Sequence, residues 1–422
     1  MLRLQRFSRY DIGIFFAFII YTGVWSFISL MRYYALQAGV FDLGYKMQLG
    51  WYSLFHPYFG LVTNISHLIV YPAFPLFLLR SYPLLLIFQS FFIGVAALPV
   101  YLIAKIKSGN EKLSFSVGLI YLLFPPNIGL NWFDFHYMMF FPALFLFGYL
   151  FFIEGRYKLS LFFFIFSGLS TYPFLGFVLL FGVVFLTEAL SFERSDSHKF
   201  NFNPKIKFLL SLVAISLTIL VVQFHILGIN SNMLSKNPST PVTVFGGLST
   251  KIFSIVFIVV VGGFSAILKP KWLIFFVPYF FILFYSTNYV FEYPRIMQFQ
   301  YAPLVTPFVF TALADMLNGH TGREPGKKKT VKPFSAYLRT HGFRVASVVF
   351  LLIVVVASAL FFNPLGPLNR ESPINFEFYE KDRPNFTIYD GLEKLISLVP
   401  ADNPYLLVQQ NMPEAYPRLF YQ

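Results

Sequence analysis

Apolar runs long enough to cross a bilayer recur along this chain from residue 11 to residue 362, and that repetition constrains the fold more than any motif within it. The bilayer core offers no water to backbone amides, so a crossing segment must satisfy its own hydrogen bonds as a helix or close into a barrel. These runs lack the polar–apolar alternation of barrel strands and therefore read as helices. They fall near 11–31, 83–104, 113–130, 138–153, 159–170, 172–190, 208–227, 251–268, 272–286, 301–317 and 345–362. The chain reads as an all-α polytopic membrane protein of about eleven transmembrane helices. With 57% hydrophobic and only 12% charged residues, a soluble domain is excluded. The first run follows a basic start but is too long for a signal core and has no small-residue cleavage site before Arg32, so it reads as a retained span.

The distribution of cations orients the spans. With the N-terminus cytoplasmic, 21 of the 32 Lys and Arg residues fall in cytoplasmic segments: the N-terminus itself, Lys105–Lys112, Arg156 and Lys158, Arg194–Lys207, Lys269 and Lys271, and the linker from Asn318 to Arg344. Outside the C-terminal tail, the opposite face carries only six: Arg32, Lys46, Arg80, Lys236, Lys251 and Arg295. This is the positive-inside pattern, and it accounts for the net charge of +13 without nucleic acid. A multi-pass protein of the cell membrane with an extracytoplasmic C-terminus follows. Residues 1–362 form the transmembrane domain. Residues 363–422 turn to Asn, Pro, Glu and Asp and end soon after a strand-like Tyr405–Gln410, which reads as the start of an extracytoplasmic α/β-type segment rather than a whole domain, with a truncated chain and a vestigial domain as the two alternatives.

Zero cysteine removes thiolate metal sites and a cysteine nucleophile. The sequence also holds no Gly-rich phosphate loop, His-Glu zinc motif or serine elbow. What remains is a sparse set of titratable groups on the outer face. Acids there, apart from the tail, are Asp42, Asp134 and Glu292, accompanied by His56, His67 and His136. Ionisable groups at membrane helix ends are functional candidates because they are costly to keep there.

Asp42 stands in Phe41-Asp42-Leu43-Gly44, followed by Lys46, Gln48 and Trp51 in a 35-residue loop whose helical spacing predicts an amphipathic helix. From spacing alone Asp42 is either the cap of that helix or a catalytic acid. In Asn131-Trp132-Phe133-Asp134-Phe135-His136, an extended turn would point Asp134 and His136 the same way, letting the carboxylate orient the imidazole; an interfacial polar turn anchored by Trp132 is the alternative. His67 opens a short apolar piece that Pro72 and Pro75 keep from being a span. Arg295, with Gln298 and Tyr301 nearby, suits a lipid-linked phosphate because a guanidinium grips phosphate oxygens with two parallel donors; an ion pair with Glu292 or snorkelling to headgroups accounts for it equally. No metal-ligand set is assigned, since one loop offers too few ligands.

In order and spacing, Phe41-Asp42-Leu43-Gly44 with Gln48 and Trp51, His67, Gln89 before Gly94 to Leu102, Phe133-Asp134-Phe135-His136 and Gln300-Tyr301 before Pro307 resemble an uncharacterised family of predicted prokaryotic membrane proteins placed in the GT-C superfamily of integral-membrane glycosyltransferases. The resemblance implies a GT-C-like fold and transfer of a sugar from a polyprenyl-phosphate-linked donor to an acceptor on the extracytoplasmic face. It implies Asp42 as general base or partial metal ligand. Asp134 and His136 then assist in acid–base chemistry or orientation, and Lys46, Gln48, His67, Arg295, Gln298 and Tyr301 bind donor or substrate. No cofactor is obligatory and a divalent metal is compatible; the partners are the lipid-linked donor, membrane lipids and an acceptor the sequence does not identify. Two positions depart from the pattern: Ser170-Thr171-Tyr172-Pro173-Phe174 replaces a charged Lys-Glu-Asp-like cluster, and Tyr137 replaces a proline. Two other readings use the same outer cavity: a transporter or flippase of lipid-linked sugars, and a non-catalytic GT-C-like assembly partner.

Overall fold

The computed structural model describes residues 8–34, 40–56, 67–79, 81–196, 203–226, 248–285, 301–318 and 341–362, and Lys394. The described residues are mostly helical, with no strand among them. Seven helices or helix pairs are long and apolar enough to cross a membrane: Arg9–Tyr34, Tyr82–Ser108, Glu111–Trp132, Tyr172–Ser191, Pro204–Phe224, Lys251–Leu268 and Gly342–Leu360. Each coincides with an expected span. The other four expected spans are shorter helices, Tyr137–Ile153, Tyr157–Gly168, Pro270–Phe284 and Thr306–Met316. The tail strand, the tail domain and most of the basic linker lie outside the described residues, as do Glu292, Arg295 and Gln298.

In chain order the elements are α1 (Arg9–Tyr34), α2 (Tyr45–Phe55), α3 (Pro75–Leu78), α4 (Tyr82–Val95), α5 (Ala97–Ser108), α6 (Glu111–Leu122), α7 (Pro125–Trp132), α8 (Phe140–Ile153), α9 (Tyr157–Gly168), α10 (Tyr172–Asp196), α11 (Pro204–Val221), α12 (Leu248–Ile258), α13 (Phe264–Leu268), α14 (Val277–Tyr285), α15 (Thr306–Met316) and α16 (His341–Phe362). Local chemistry sets several of these limits. Ser81, Asn110 and Asn203 cap α4, α6 and α11 by accepting a first-turn amide, and Pro stands in the first turn of α4, α7 and α11. The sharp reversal from α8 to α9 turns on Gly155, whose φ of 73° is left-handed.

Lipid is as apolar as leucine, so helices associate in it through close packing rather than through expulsion of water. Small residues provide the approach: a Cβ on Gly94 would meet the Tyr21 ring at 2.9 Å, and one on Gly118 would meet Ile14 at 2.6 Å, so α1 lies directly against α4 and α6. Rings fill the rest. Phe141 stacks on Phe174 at 4.0 Å and Phe308 on Phe275 at 4.9 Å, drawing α8, α10, α15 and the 3-10 turn before α14 into one core.

At the membrane end where α5 finishes, buried Asp315 of α15 ties several elements together. Lys107 Nζ and Lys271 Nζ lie 2.8 and 3.0 Å from its oxygens, and Trp272 Nε1 and Tyr149 Oη donate to them at 2.9 and 3.3 Å. The other end of the bundle holds the residues singled out for chemistry.

Candidate functional site

Asp42 lies in a single π-turn, Val40–Gly44, between α1 and α2. Such wide turns are uncommon and recur at functional positions. The predicted amphipathic helix is α2, and it packs its inner face on the short α3: a Cβ on Gly50 would meet the Phe77 ring at 2.4 Å. Its cap position is Gly44, in helical conformation and without a side-chain hydrogen bond. Asp42 is therefore not the cap. Its Oδ1 instead lies 3.0 Å from Nε2 of His136, 94 residues later in the sequence, joining the first loop to the turn after α7.

His136 has extended backbone (φ −136°, ψ 141°), as the sequence suggested, but the group behind it is not the expected one. Its Nδ1 lies 3.0 Å from the main-chain carbonyl of Asp134, not from the carboxylate. A carbonyl only accepts, so this contact is made with a hydrogen on Nδ1. The orienting carboxylate expected from Asp134 is supplied by Asp42. Their side chains are graded in exposure: Asp42 is 22% exposed and His136 7%, so the imidazole sits behind the carboxylate.

Two side chains from other helices shape the 130–136 turn. Gln89 of α4, fully buried, donates from Nε2 to the carbonyls of Leu130 and Phe133 at 3.0 and 2.8 Å, and accepts the His136 amide on Oε1 at 3.1 Å. Arg32, at the end of α1, donates to the Trp132 carbonyl and lays its guanidinium over the Trp132 ring at 4.5 Å. Gln89 appeared in the sequence only as part of the resemblance, and Arg32 only in the charge count. Both reach the site through tertiary contacts that spacing does not encode.

The two departures from the family pattern fall here. Tyr137 donates its hydroxyl to the Lys46 carbonyl at 2.8 Å, anchoring α2, and offers its ring to the Lys46 ammonium at 5.5 Å and to the His67 imidazole at 4.9 Å. Ser170 ends α9. The break between α9 and α10 frees carbonyls, which are taken by the strap before α3: Ile69 donates its amide to Leu169 O at 2.8 Å, and His67 Nδ1 reaches Ser170 O at 3.0 Å. Irregular backbone at membrane depth persists where protein satisfies it in this way. The short apolar piece opened by His67 is thus a packed strap leading to the site.

Burial and charge set the protonation states. Burial pushes the Asp42 carboxyl up, but the His136 hydrogen bond with the charges of His136 and Lys46 outweighs it, and Asp42 is held below the ordinary carboxylate range. Burial pulls Lys46 down, with the Asp42 charge opposing. Burial, reinforced by Lys46, takes His67 down to about 3, so it is neutral and keeps its hydrogen on Nδ1 toward Ser170. Tyr301 lies near enough to interact with the Asp42 charge.

Of the sequence-predicted residues, Asp42, His136, Lys46, His67 and Tyr301 come together, with Asp134 contributing its main chain and having a buried side chain. Gln48 is exposed on α2. His56 ends α2 and stacks on Tyr52 at 4.1 Å. Among the described residues no three His, Asp or Glu side chains converge to hold a metal ion. Residues 32–412 match the model of a family described as a predicted membrane protein, DUF2079. No curated protein matches the chain.

Proposed function

We propose, on the premise that this chain belongs to the DUF2079 family of predicted membrane proteins, that it is a glycosyltransferase of GT-C type. It would move a sugar from a polyprenyl-phosphate-linked donor to an acceptor on the extracytoplasmic face. The observation that carries the reading is the Asp42–His136 pair at 3.0 Å, with the carboxylate partly exposed and the imidazole buried behind it, and the Lys46 ammonium alongside.

In this reading the acceptor hydroxyl attacks the anomeric carbon as the bond from that carbon to the phosphate oxygen breaks, and the polyprenyl phosphate leaves with the electron pair. The hydroxyl proton passes to Asp42. His136 engages Oδ1, leaving Oδ2 to receive it, and a carboxylate ionised at neutral pH is ready to act as base. Lys46 meets the charge growing on the departing phosphate, and Tyr301, near Asp42, is on the donor side; the resemblance assigns Arg295 and Gln298 to the donor as well. A single displacement needs one base, because the donor already carries a good leaving group. The displacement inverts the anomeric centre.

A transporter would want mobile charge at both membrane ends. The buried charges at the far end are instead bound to one another, with Asp315 between Lys107 and Lys271, which supports one-sided chemistry. The test is sugar transfer from a polyprenyl-phosphate donor by the purified full-length protein beside its Asp42→Asn variant. Asn keeps the shape and a contact to His136 but cannot take the proton, so transfer should fall by about a hundredfold or more. Wild-type transfer with Asp42→Asn unchanged removes the base assignment, and no transfer by wild type from any such donor removes the reading.

A further inference from the structure

We propose that the cleft between the α8–α9 turn and the first turns of α11 is a binding site for an anionic phospholipid, whose headgroup phosphate is gripped by Arg156, Lys158 and Lys207. The cleft lies one helix length from Asp42. α8 begins just after His136 and runs 14 residues, about 21 Å at helical rise, before reaching it. It therefore opens at the opposite membrane end and is distinct from the donor site proposed above.

The cleft has a volume of about 610 Å³, room for a headgroup and the first part of its chains. Its upper rim is cationic, with Arg156, Lys158 and Lys207 all exposed. The described acid beside them is Glu154, 3.6 Å from Arg156, so positive charge remains in excess. The left-handed Gly155 turn sets Arg156 on the rim, and Lys205 covers the Phe152 ring at 5.6 Å close by. Below the rim the wall becomes apolar. Tyr157 stacks on buried Phe208 at 5.3 Å to make the floor, and Leu159 and Leu161 continue it down α9 toward the hydrocarbon.

This vertical order, cations above an aromatic floor above aliphatic side chains, matches the order of an anionic lipid: phosphate, glycerol, acyl chain. A free phosphate would use the rim alone and leave the apolar wall without a role. A basic pocket between helix ends binds acidic headgroups by the same chemistry. Gripping a phosphate with a guanidinium and two ammonium groups through charge-assisted hydrogen bonds is stronger than diffuse attraction to the surface.

The experiment uses full-length protein in phosphatidylcholine nanodiscs doped with phosphatidylglycerol, with native mass spectrometry counting the phosphatidylglycerol retained after release. Wild type should retain it over phosphatidylcholine. Each cation near the surface is worth about fivefold, so Arg156→Gln/Lys158→Gln/Lys207→Gln should weaken retention on the order of a hundredfold, and Lys207→Gln alone about fivefold. Lys112→Gln, at the same membrane end but outside the cleft, should leave it unchanged. Equal retention by wild type and the triple variant overturns the proposal, as does a loss in Lys112→Gln as large as in Lys207→Gln. Displacement of the lipid by millimolar inorganic phosphate overturns it too, since that would make the site one for a small anion.

Discussion

Replacing Gln89 by leucine tests how the 130–136 turn is held without presupposing a reaction. Leucine matches glutamine in bulk and suits the apolar surroundings of α4, so packing changes little. What is lost is three hydrogen bonds: two from Nε2 to the carbonyls of Leu130 and Phe133, and one from the His136 amide to Oε1. Those to Leu130 and His136 are buried and that to Phe133 is partly so, Gln89 being 1% exposed and His136 5%. An orphaned buried polar group costs about 1–3 kcal/mol. The carbonyls have two lone pairs and relax more readily than the amide, so the total should be about 3–5 kcal/mol rather than the full sum. Gln89→Glu should cost at least as much despite its identical shape, because it sets a carboxylate against the two carbonyls and provides no second donor. Unfolding of the purified protein in mixed micelles, followed by tryptophan fluorescence, gives the stability. Sugar transfer, if the proposed activity is confirmed, should fall further than stability, since His136 would no longer hold Asp42 Oδ1 at 3.0 Å. A Gln89→Leu protein within about 1 kcal/mol of wild type would refute the reasoning and imply that the turn is held by Arg32 and packing alone.

Asp315→Ala should destabilise the protein by about 3–5 kcal/mol, since it leaves Lys107 and Lys271 facing each other with the Trp272 and Tyr149 donors unmatched; the same micelle unfolding measures it, and Lys271→Gln, at the more exposed partner, should cost less. His67 gives a pH signature. Its folded-state value near 3 lies below the ordinary 6.5, so the unfolded chain binds the extra proton between those values and stability falls as pH drops below about 6.5. At pH 5 the loss should be about 2 kcal/mol relative to pH 8, and the slope over that range should flatten in His67→Gln; an equal slope in both proteins would show that His67 is not the neutral, half-buried imidazole described.

The helices were legible in the sequence because a bilayer permits so little else. Once a run such as Trp25 to Met31 sits within a bilayer-length apolar stretch, its backbone must close on itself, and the caps at Ser81, Asn110 and Asn203 and the turn at Gly155 are local chemistry as well. The placing of titratable residues at the ends of the spans was legible for a related reason: ionisable side chains are tolerated at few depths. The identity of their partners was not. Asp42 preceded a helix and looked equally like its cap, and spacing could not choose, because a cap and an ion pair to a residue 94 positions away leave the same local pattern.

Asp134 was credited with orienting His136 because a carboxylate two residues away is the nearest acid in sequence, but an extended turn brings the main-chain carbonyl to Nδ1 first. Gln89 and Arg32 carried no local signal, since their roles exist only once α1 and α4 lie beside the 130–136 turn. By itself the sequence determined a polytopic helical membrane protein with its few ionisable groups gathered at the ends of its spans, since the cost of unsatisfied backbone and buried charge acts on every residue regardless of its neighbours. Tertiary structure alone decided which of those groups face each other, because pairing depends on distances between elements that the chain brings together only when it is packed.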